Sequence, residues 1–403
     1  MARVLYVSQY FVGADQPGGL RHWQHARALA AAGHDVTVLT TYVQHKERTV
    51  PERYRGRRVV REHEDGLTVV RTYSTPGYGR DLRSRLASYT SFAGWALLAT
   101  ARLPRPDVLV ASSPPLTAAG AAALVARARR ARLVLEVRDL WPDSAVAMGM
   151  VHSPAIISAA RRLERFCYRS ADRVVALTEG IRDGVIAQGT PAAKVELITN
   201  GIDLEIAANG PAPVPVPDDA VVAMYVGAHG TYSALPTVLE AAGRLQRTRG
   251  DLRVVLVGGG DQKPALVQQA RRDGLANVIF VDPVAKRDVP AWLARADVCL
   301  LPYQDNALFA GALPNKTFDY MGAGRPIVAA VRQGEVSRLL ERAGCGVTVP
   351  PEDAAALADA LARLADDRDG AARMGAAGAA YARAHYDRRA LAARFVALVE
   401  SCA

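Results

Sequence analysis

The sequence predicts an α/β protein of two Rossmann-like domains in tandem, each a parallel sheet covered by helices, and three observations lead there. At 403 residues the chain exceeds what one hydrophobic core usually supports. Short apolar runs alternate with helical patterns along nearly its whole length, the arrangement that buries a parallel sheet on both faces. Between the halves, residues 207–219 carry alternating prolines with Asn209 and Gly210, a composition that forms neither helix nor central strand. The domains are therefore expected at 1–205 and 221–385, with 206–220 as linker and a central cleft between the two sheets.

Taken in order, residues 3–7 form a strand pattern, 20–32 a helix ended by Gly33, and 35–40 a second strand, which together make a βαβ unit. Further strand-like runs follow at Val69, 108–111, 133–137, 173–177 and 195–198. After the proline-rich stretch, strands are expected at 221–226, 253–257, 278–281, 298–301 and 327–330. Helices are expected between them at 235–245, from Pro264, at 289–294 and at 315–321. Ligands of open parallel sheets bind beyond the carboxyl ends of the strands, so the loops that follow strands are where function is sought.

Composition narrows the class. Half the residues are apolar and 22% are charged, which excludes a disordered or fibrous chain. The longest apolar runs, at 92–101 and 118–126, fall short of the roughly 18 residues of a spanning helix. Residues 1–13 read as a strand with a single early Arg3, not as a secretory signal, so a cytoplasmic location is expected. Cys167, Cys299, Cys345 and Cys402 are far apart and lack CxxC spacing, which points to free thiols and to no metal site. The net charge of +10 is uneven: residues 1–205 hold 28 Lys and Arg against 19 Asp and Glu, and residues 206–403 hold 22 against 21. That asymmetry points to an anionic partner of the first domain, although only five of the fifty cations are Lys, so an Arg-rich composition explains it equally well. Residues 80–86, continuing through 95–103, mix Arg with aromatic and aliphatic residues at helical spacing. They read either as a peripheral membrane contact or as a partly buried domain helix. No nucleic-acid module is recognisable, and nucleic acid is not an expected partner.

Five post-strand loops carry candidate chemistry. Gly18 and Gly19 precede the first helix, where bare backbone N–H groups can approach an anion and Arg21 adds charge; the same residues can also be a plain turn. Residues 135–144 crowd Glu136, Arg138, Asp139, Trp141 and Asp143 at the end of an apolar strand, as a polar ligand site requires, the alternative being structural ion pairs of Arg138. Gly227, His229 and Gly230 form the glycine-rich loop after the first strand of the second domain. Gly258, Gly259 and Gly260 lack the GxGxxG spacing of a nicotinamide-nucleotide site and read as a cleft-facing turn. The most specific segment is 311–326. Pro314 and Asn315 open a helix whose first-turn N–H groups and dipole favour an anion, Lys316 adds a full charge, and Asp319 lies one turn on, placed for the two hydroxyls of a ribose.

Residues 4–11, 33–40, 112–116, 136–144, 294–302 and 313–326 resemble the family-4 glycosyltransferases, specifically the branch acting on bacterial cell-surface polysaccharides, such as the N-acetylfucosamine-type transferases. The resemblance spans nearly the whole chain. It implies the GT-B fold, a retaining transfer, a donor held by the second domain, an acceptor held by the first, and a C-terminal helix within 386–403 that packs back on the first domain. Three departures stand out. The family's two glutamates eight residues apart correspond here to Gly311 and Asp319, its Arg and Lys after the first strand of the second domain are replaced by residues 228–233, and its His before Asp is here Arg138 before Asp139.

The expectation is thus a metal-independent, cofactor-free glycosyltransferase whose co-substrate is a nucleotide-diphosphate sugar. The base is expected at Gly258, Asp282 and Pro283, the ribose on Asp319, and the diphosphate between Gly18, Gly19, Gly227, His229 and Gly230 on one side and Leu313, Asn315 and Lys316 on the other. Arg138, Asp139 and Lys316 are the expected catalytic residues, with Arg21, Trp141 and Asp143 toward a glycan, lipid-linked or small-molecule acceptor. The one Asp-x-Asp, Asp367 to Asp369, follows a helical stretch and not a strand, unlike a metal-binding motif of such enzymes. A sugar-nucleotide 2-epimerase of the same fold and a noncatalytic sugar-nucleotide sensor remain open alternatives.

Overall fold

The computed structural model describes residues 1–13, 20–43, 49–76, 82–204 and 210–403, and these separate into two compact units, 1–199 with 390–403 and 200–389. The first unit runs β1 (Arg3–Val7), α1 (Arg21–Ala31), β2 (Asp35–Thr41), β3 (Val59–Glu64), β4 (Leu67–Thr72), α2 (Leu82–Thr100), β5 (Val108–Ser113), α3 (Leu116–Arg129), β6 (Arg132–Val137), α4 (Asp143–Ala147), α5 (Pro154–Ser170), β7 (Arg173–Ala176), α6 (Glu179–Ala187) and β8 (Val195–Leu197). The chain continues with β9 (Val221–Val226), α7 (Leu235–Thr248), β10 (Leu252–Val257), α8 (Lys263–Arg272), β11 (Val278–Val281), α9 (Val289–Arg295), β12 (Val298–Pro302), α10 (Asn315–Gly322), β13 (Ile327–Ala330), α11 (Glu335–Ala343), β14 (Gly346–Val349), α12 (Ala354–Asp366), α13 (Arg368–His385) and α14 (Arg388–Glu400).

Among the described residues the first unit holds an eight-stranded sheet in the order β3-β4-β2-β1-β5-β6-β7-β8, and the second a six-stranded sheet in the order β11-β10-β9-β12-β13-β14. Every pairing is parallel except β3 with β4. β3 was not expected. Its Arg61, Glu62, His63 and Glu64 alternate at a solvated sheet edge, so it lacks the apolar run that marks the central strands; Asp65 and Gly66, both at positive φ, turn it into β4.

Each sheet is covered on both faces. In the first unit α2, α3, α5 and α6 pack Phe92, Ala96, Leu116, Tyr168 and Ile181 on one side, while α1 and α14 bring Leu29, Phe395 and Val399 to the other. In the second, α7, α8 and α12 cover one face and α9, α10 and α11 the other. The expected linker is corrected here. The unit boundary falls at Thr199, and residues 210–220 belong to the second unit, with Val214 and Val216 against its core and the Ala212 N–H donating to Ala291 at 2.8 Å. The prolines forbid a regular element but not burial.

Where the chain enters and leaves the second unit, the two passages are bonded together. The Ile202 N–H donates to the Tyr386 carbonyl at 2.9 Å, and the Arg388 N–H to the Ile202 carbonyl at 3.0 Å. The tip of Ile202 sits against Gly322 at the end of α10, so closely that a Cβ at Gly322 would lie 1.5 Å from it. Strand order reverses at β1/β5 and at β9/β12, and the loops at those switch points form the crevices where such sheets bind ligands.

Candidate functional site

In the second unit the loops after β9 and β10 and the start of α10 converge. Pro314, in extended conformation, caps α10, and Lys316 in the first turn reaches back beneath β9. Its ammonium donates to Tyr225 Oη at 2.7 Å, lies 4.0 Å from the centre of that ring, and is 5.8 Å from the ring of Tyr303. A Cβ at Gly227 would lie only 3.0 Å from Lys316 Nζ, so the amine and the Gly227 backbone face each other directly. Burial pushes the Lys316 amine down to about 7, with Asp319 acting weakly in the opposite sense. The Tyr225 hydroxyl donates onward to the Ala228 carbonyl at 2.7 Å, and Tyr320 ties α10 to β9 by accepting the Val226 N–H at 3.0 Å.

His229 lies behind this amine, fully buried, and both of its ring nitrogens lack hydrogen-bond partners. Burial, with Lys263 and Lys316 adding repulsion, pushes its pKa down to about 4, so the ring is neutral at physiological pH. Its backbone is laced to the next loop: the His229 N–H donates to Gly259 at 2.8 Å, and the Gln262 N–H to His229 at 3.0 Å. Gly258 has φ of 145°, and a Cβ there would come 1.9 Å from the Gly227 carbonyl oxygen. Only glycine allows these two loops to touch.

Further along α10, Asp319 is held by Lys286 at 2.5 Å. Beside this pair α9, α10, α13 and residues 202–204 enclose a cavity of about 310 Å³ whose wall includes Asp319, Lys286, Arg325 and Arg383. Asp282, expected near the base, is highly exposed and paired with Lys263 at 2.8 Å, while the ring of Pro283 lies against Gly259. Asn315 is exposed, Leu313 packs on the core, and Gly230 opens toward a smaller cavity of about 110 Å³ shared with Gln262 and Gln304. Gly18 and Gly19 lie outside the described residues.

In the first unit the buried carboxylate of Glu136 gathers three basic side chains of α1. Arg21 Nε lies at 3.0 Å, His22 Nε2 at 3.1 Å and His25 Nδ1 at 3.4 Å. Arg21 also donates to the carbonyls of Thr199 and Ile198, at 2.5 and 2.7 Å, and is largely buried. The sequence expected Arg21 toward the acceptor; the structure commits its guanidinium to fixing α1 on β6 and on the chain leaving β8. Asp143 is likewise engaged, in an exposed pair with Arg161 at 3.0 Å, and Trp141 packs against the core. Arg138 and Asp139 differ from these. Arg138 bonds the Pro114 carbonyl at 3.1 Å, but its Nε, like Tyr6 Oη, is buried without a partner; burial lowers the Arg138 pKa and raises that of Asp139. Arg138 thus keeps an unpartnered buried donor, whereas Asp139 is hydrogen-bonded by Ser144 and the Leu140 backbone.

With this geometry in view, comparison with known proteins gives a consistent answer. Residues 19–201 match the glycosyl transferase 4-like domain and residues 220–367 the glycosyl transferases group 1 domain. A glycosyl transferase of Escherichia coli K12 named for colanic acid biosynthesis, WcaI, is 28% identical over 82% of this chain and 84% of its own length. Among solved structures, sucrose-phosphate synthase from Thermosynechococcus elongatus superposes with a TM-score of 0.74 at 19% identity, over 100% of this chain and 99% of its own. HepE of Anabaena, solved with UDP-glucose, superposes with a TM-score of 0.69 at 18% identity over the whole of both chains. The chain belongs to the glycosyltransferases of GT-B type, as its resemblance to family 4 implied.

Sequence reasoning did not assign roles to Tyr225, Lys263, Lys286, His22 or His25. Two signals were available, a single Glu136 inside an otherwise apolar strand and the helical spacing of Arg21, His22 and His25. Glu136→Ala would leave Arg21 without its buried counter-charge and the two histidines without their carboxylate partner, and is expected to remove about 3–5 kcal/mol, read as a lower urea midpoint; wild-type stability would refute the anchoring role. Acid is expected to act in the same direction. Burial pushes His25 and His229 down to about 4 from a usual 6.5, so the unfolded chain binds more protons between those values. The contribution of these histidines should therefore be complete above pH 6.5 and fall as pH drops toward 4, by on the order of 1 kcal/mol per unit for each histidine. A thermal midpoint flat from pH 7 to 4 would contradict this.

Proposed function

We propose that the protein is a retaining, metal-independent glycosyltransferase that moves a sugar, a HexNAc or deoxyhexose, from a UDP-linked donor to a glycan, lipid-linked or small-molecule acceptor in the cytoplasm. The observation that carries the reading is the Lys316 amine at the first turn of α10, facing the Gly227 backbone beside a buried His229 that lacks partners. A diphosphate placed there meets helix N–H groups, a cation and an imidazole N–H at once. Asp319, drawn away from Lys286, would receive the ribose hydroxyls. Departure of the sugar leaves negative charge on the diphosphate, and fixed N–H groups with Lys316 stabilise that charge where it develops. This supports leaving-group activation by the chain's own residues. Arg138, whose buried Nε lacks a partner, and the neighbouring Asp139 are assigned to the acceptor or to the sugar hydroxyls. HepE with UDP-glucose and WcaI named for a polysaccharide support the donor and acceptor classes.

Titration of free protein with UDP, GDP and dTDP in the presence of EDTA tests the site. UDP is expected to bind and to raise the melting temperature, and Lys316→Ala to weaken it about 10- to 100-fold, the magnitude of a charge-assisted contact. An amine resting near pKa 7 gains its proton when the anion arrives. Binding at pH 8 should therefore take up a proton, visible as calorimetric heats that depend on buffer ionisation, and affinity should fall as pH rises above 7. No stabilisation by any nucleotide would sink the donor reading; stabilisation without sugar transfer or UDP release would favour a noncatalytic sensor.

A further inference from the structure

We propose that Phe309 and Tyr232 form the platform on which the donor's sugar ring rests, an assignment that builds on the nucleotide-sugar reading of Lys316. From the Lys316 amine a line of aromatic rings runs outward through the second unit. The ring of Tyr303 is centred 5.8 Å from the ammonium, Phe309 lies 4.9 Å beyond Tyr303, and Tyr232 meets Phe309 edge-on at 5.7 Å. Tyr303 packs against the core, but among the described residues Phe309 and Tyr232 belong to neither core cluster of this unit. Phe309 is partly exposed and Tyr232 is 40% exposed. Two rings paired at a rim beside a buried cation are placed as one wall of a ligand pocket, not as packing.

The loop that carries Phe309 is fixed on several sides. The Gln304 N–H donates to the Tyr232 carbonyl at 3.1 Å, so the loops after β9 and β12 are joined at the platform itself. Asn306 Oδ1 accepts the Leu308 N–H at 2.9 Å and opens the short turn Ala307–Gly311, the Asp305 N–H donates to Glu352 at 2.9 Å, and Asp305 pairs with Arg332. Gly334 passes close against the turn, where a Cβ would lie 2.1 Å from the Ala310 carbonyl oxygen. The rings are therefore positioned before a ligand arrives, which lowers the ordering cost of binding. Between residues 303 and 316 the one carboxylate is Asp305, committed to Arg332, and Gly311 brings no side chain. What this loop offers a sugar is thus ring faces and not acceptors for its hydroxyls. The face of an aromatic ring is electron-rich, and the C–H bonds on the face of a pyranose are slightly positive, so the two stack and bury apolar area on both sides. The glycosyl group is bonded to the phosphate assigned to Lys316, and the line of rings begins at that amine.

Calorimetric titration with UDP, UDP-glucose and UDP-N-acetylglucosamine tests the platform. Phe309→Ala and Tyr232→Ala are each expected to weaken both UDP-sugars about 10-fold, the size of one aromatic contact, while the affinity for UDP and the melting temperature of the free protein stay as in wild type. Phe309→Tyr keeps the ring face and should bind both sugars like wild type. Loss for neither sugar would overturn the assignment, as would a Phe309→Tyr variant no better than Phe309→Ala. Loss of UDP affinity in step with the UDP-sugars would also overturn it, because the rings would then only support the lysine. Tyr232→Ala alters an exposed side chain, so the comparison stands even where Phe309→Ala fails to fold. A wild type that binds no UDP would remove the donor reading, and this assignment with it, before any sugar is compared.

Discussion

A lysine amine seated between two tyrosine rings and facing a glycine loop is the interaction on which the second unit depends. Holding it there requires Tyr225 near the end of β9, Pro314 to cap α10, and the loops after β9 and β10 to touch, which only Gly258 permits. Desolvating an amine is unfavourable, and its lowered pKa records that cost. An ammonium placed in open water would be easier to fold around but would discriminate less between anionic and neutral ligands, because water would screen it.

The first unit solves the opposite problem. Its buried charge is a carboxylate, Glu136, and α1 answers it with Arg21, His22 and His25. The result is structural: Arg21 continues to the carbonyls at the end of β8, so one guanidinium joins the first helix, the sixth strand and the chain as it leaves the unit. Tyr6 and Arg138, close by in the same interior, keep unused hydrogen-bonding atoms. Rigid anchoring and unfilled polar capacity thus sit side by side at the ends of the first unit's strands.

The core strands and the α10 segment were legible in the sequence because both write themselves locally: apolar runs for buried parallel strands, and Pro314-Asn315-Lys316 for a helix start. β3 was not, because an edge strand facing solvent looks polar. Nor was the fate of residues 210–220, since proline content announces the loss of regular structure and is silent about packing. Ion pairing was the least legible. Lys286 with Asp319, and Arg21 with Glu136, join residues 33 and 115 positions apart, and no local pattern encodes such distances. Arg21 and Asp143, expected toward the acceptor, are likewise found in ion pairs, with Glu136 and Arg161.

The paired passages at Ile202 and Arg388 carry a consequence for how such a chain diversifies. Because the second unit is entered and left through adjacent, mutually hydrogen-bonded segments, it is topologically an insertion with neighbouring ends, the arrangement in which whole modules are exchanged with least disturbance to either core. One lineage can therefore keep its first unit and acquire a different second unit in a single recombination event, the isoleucine at the seam and the glycine that receives it travelling together in the incoming piece.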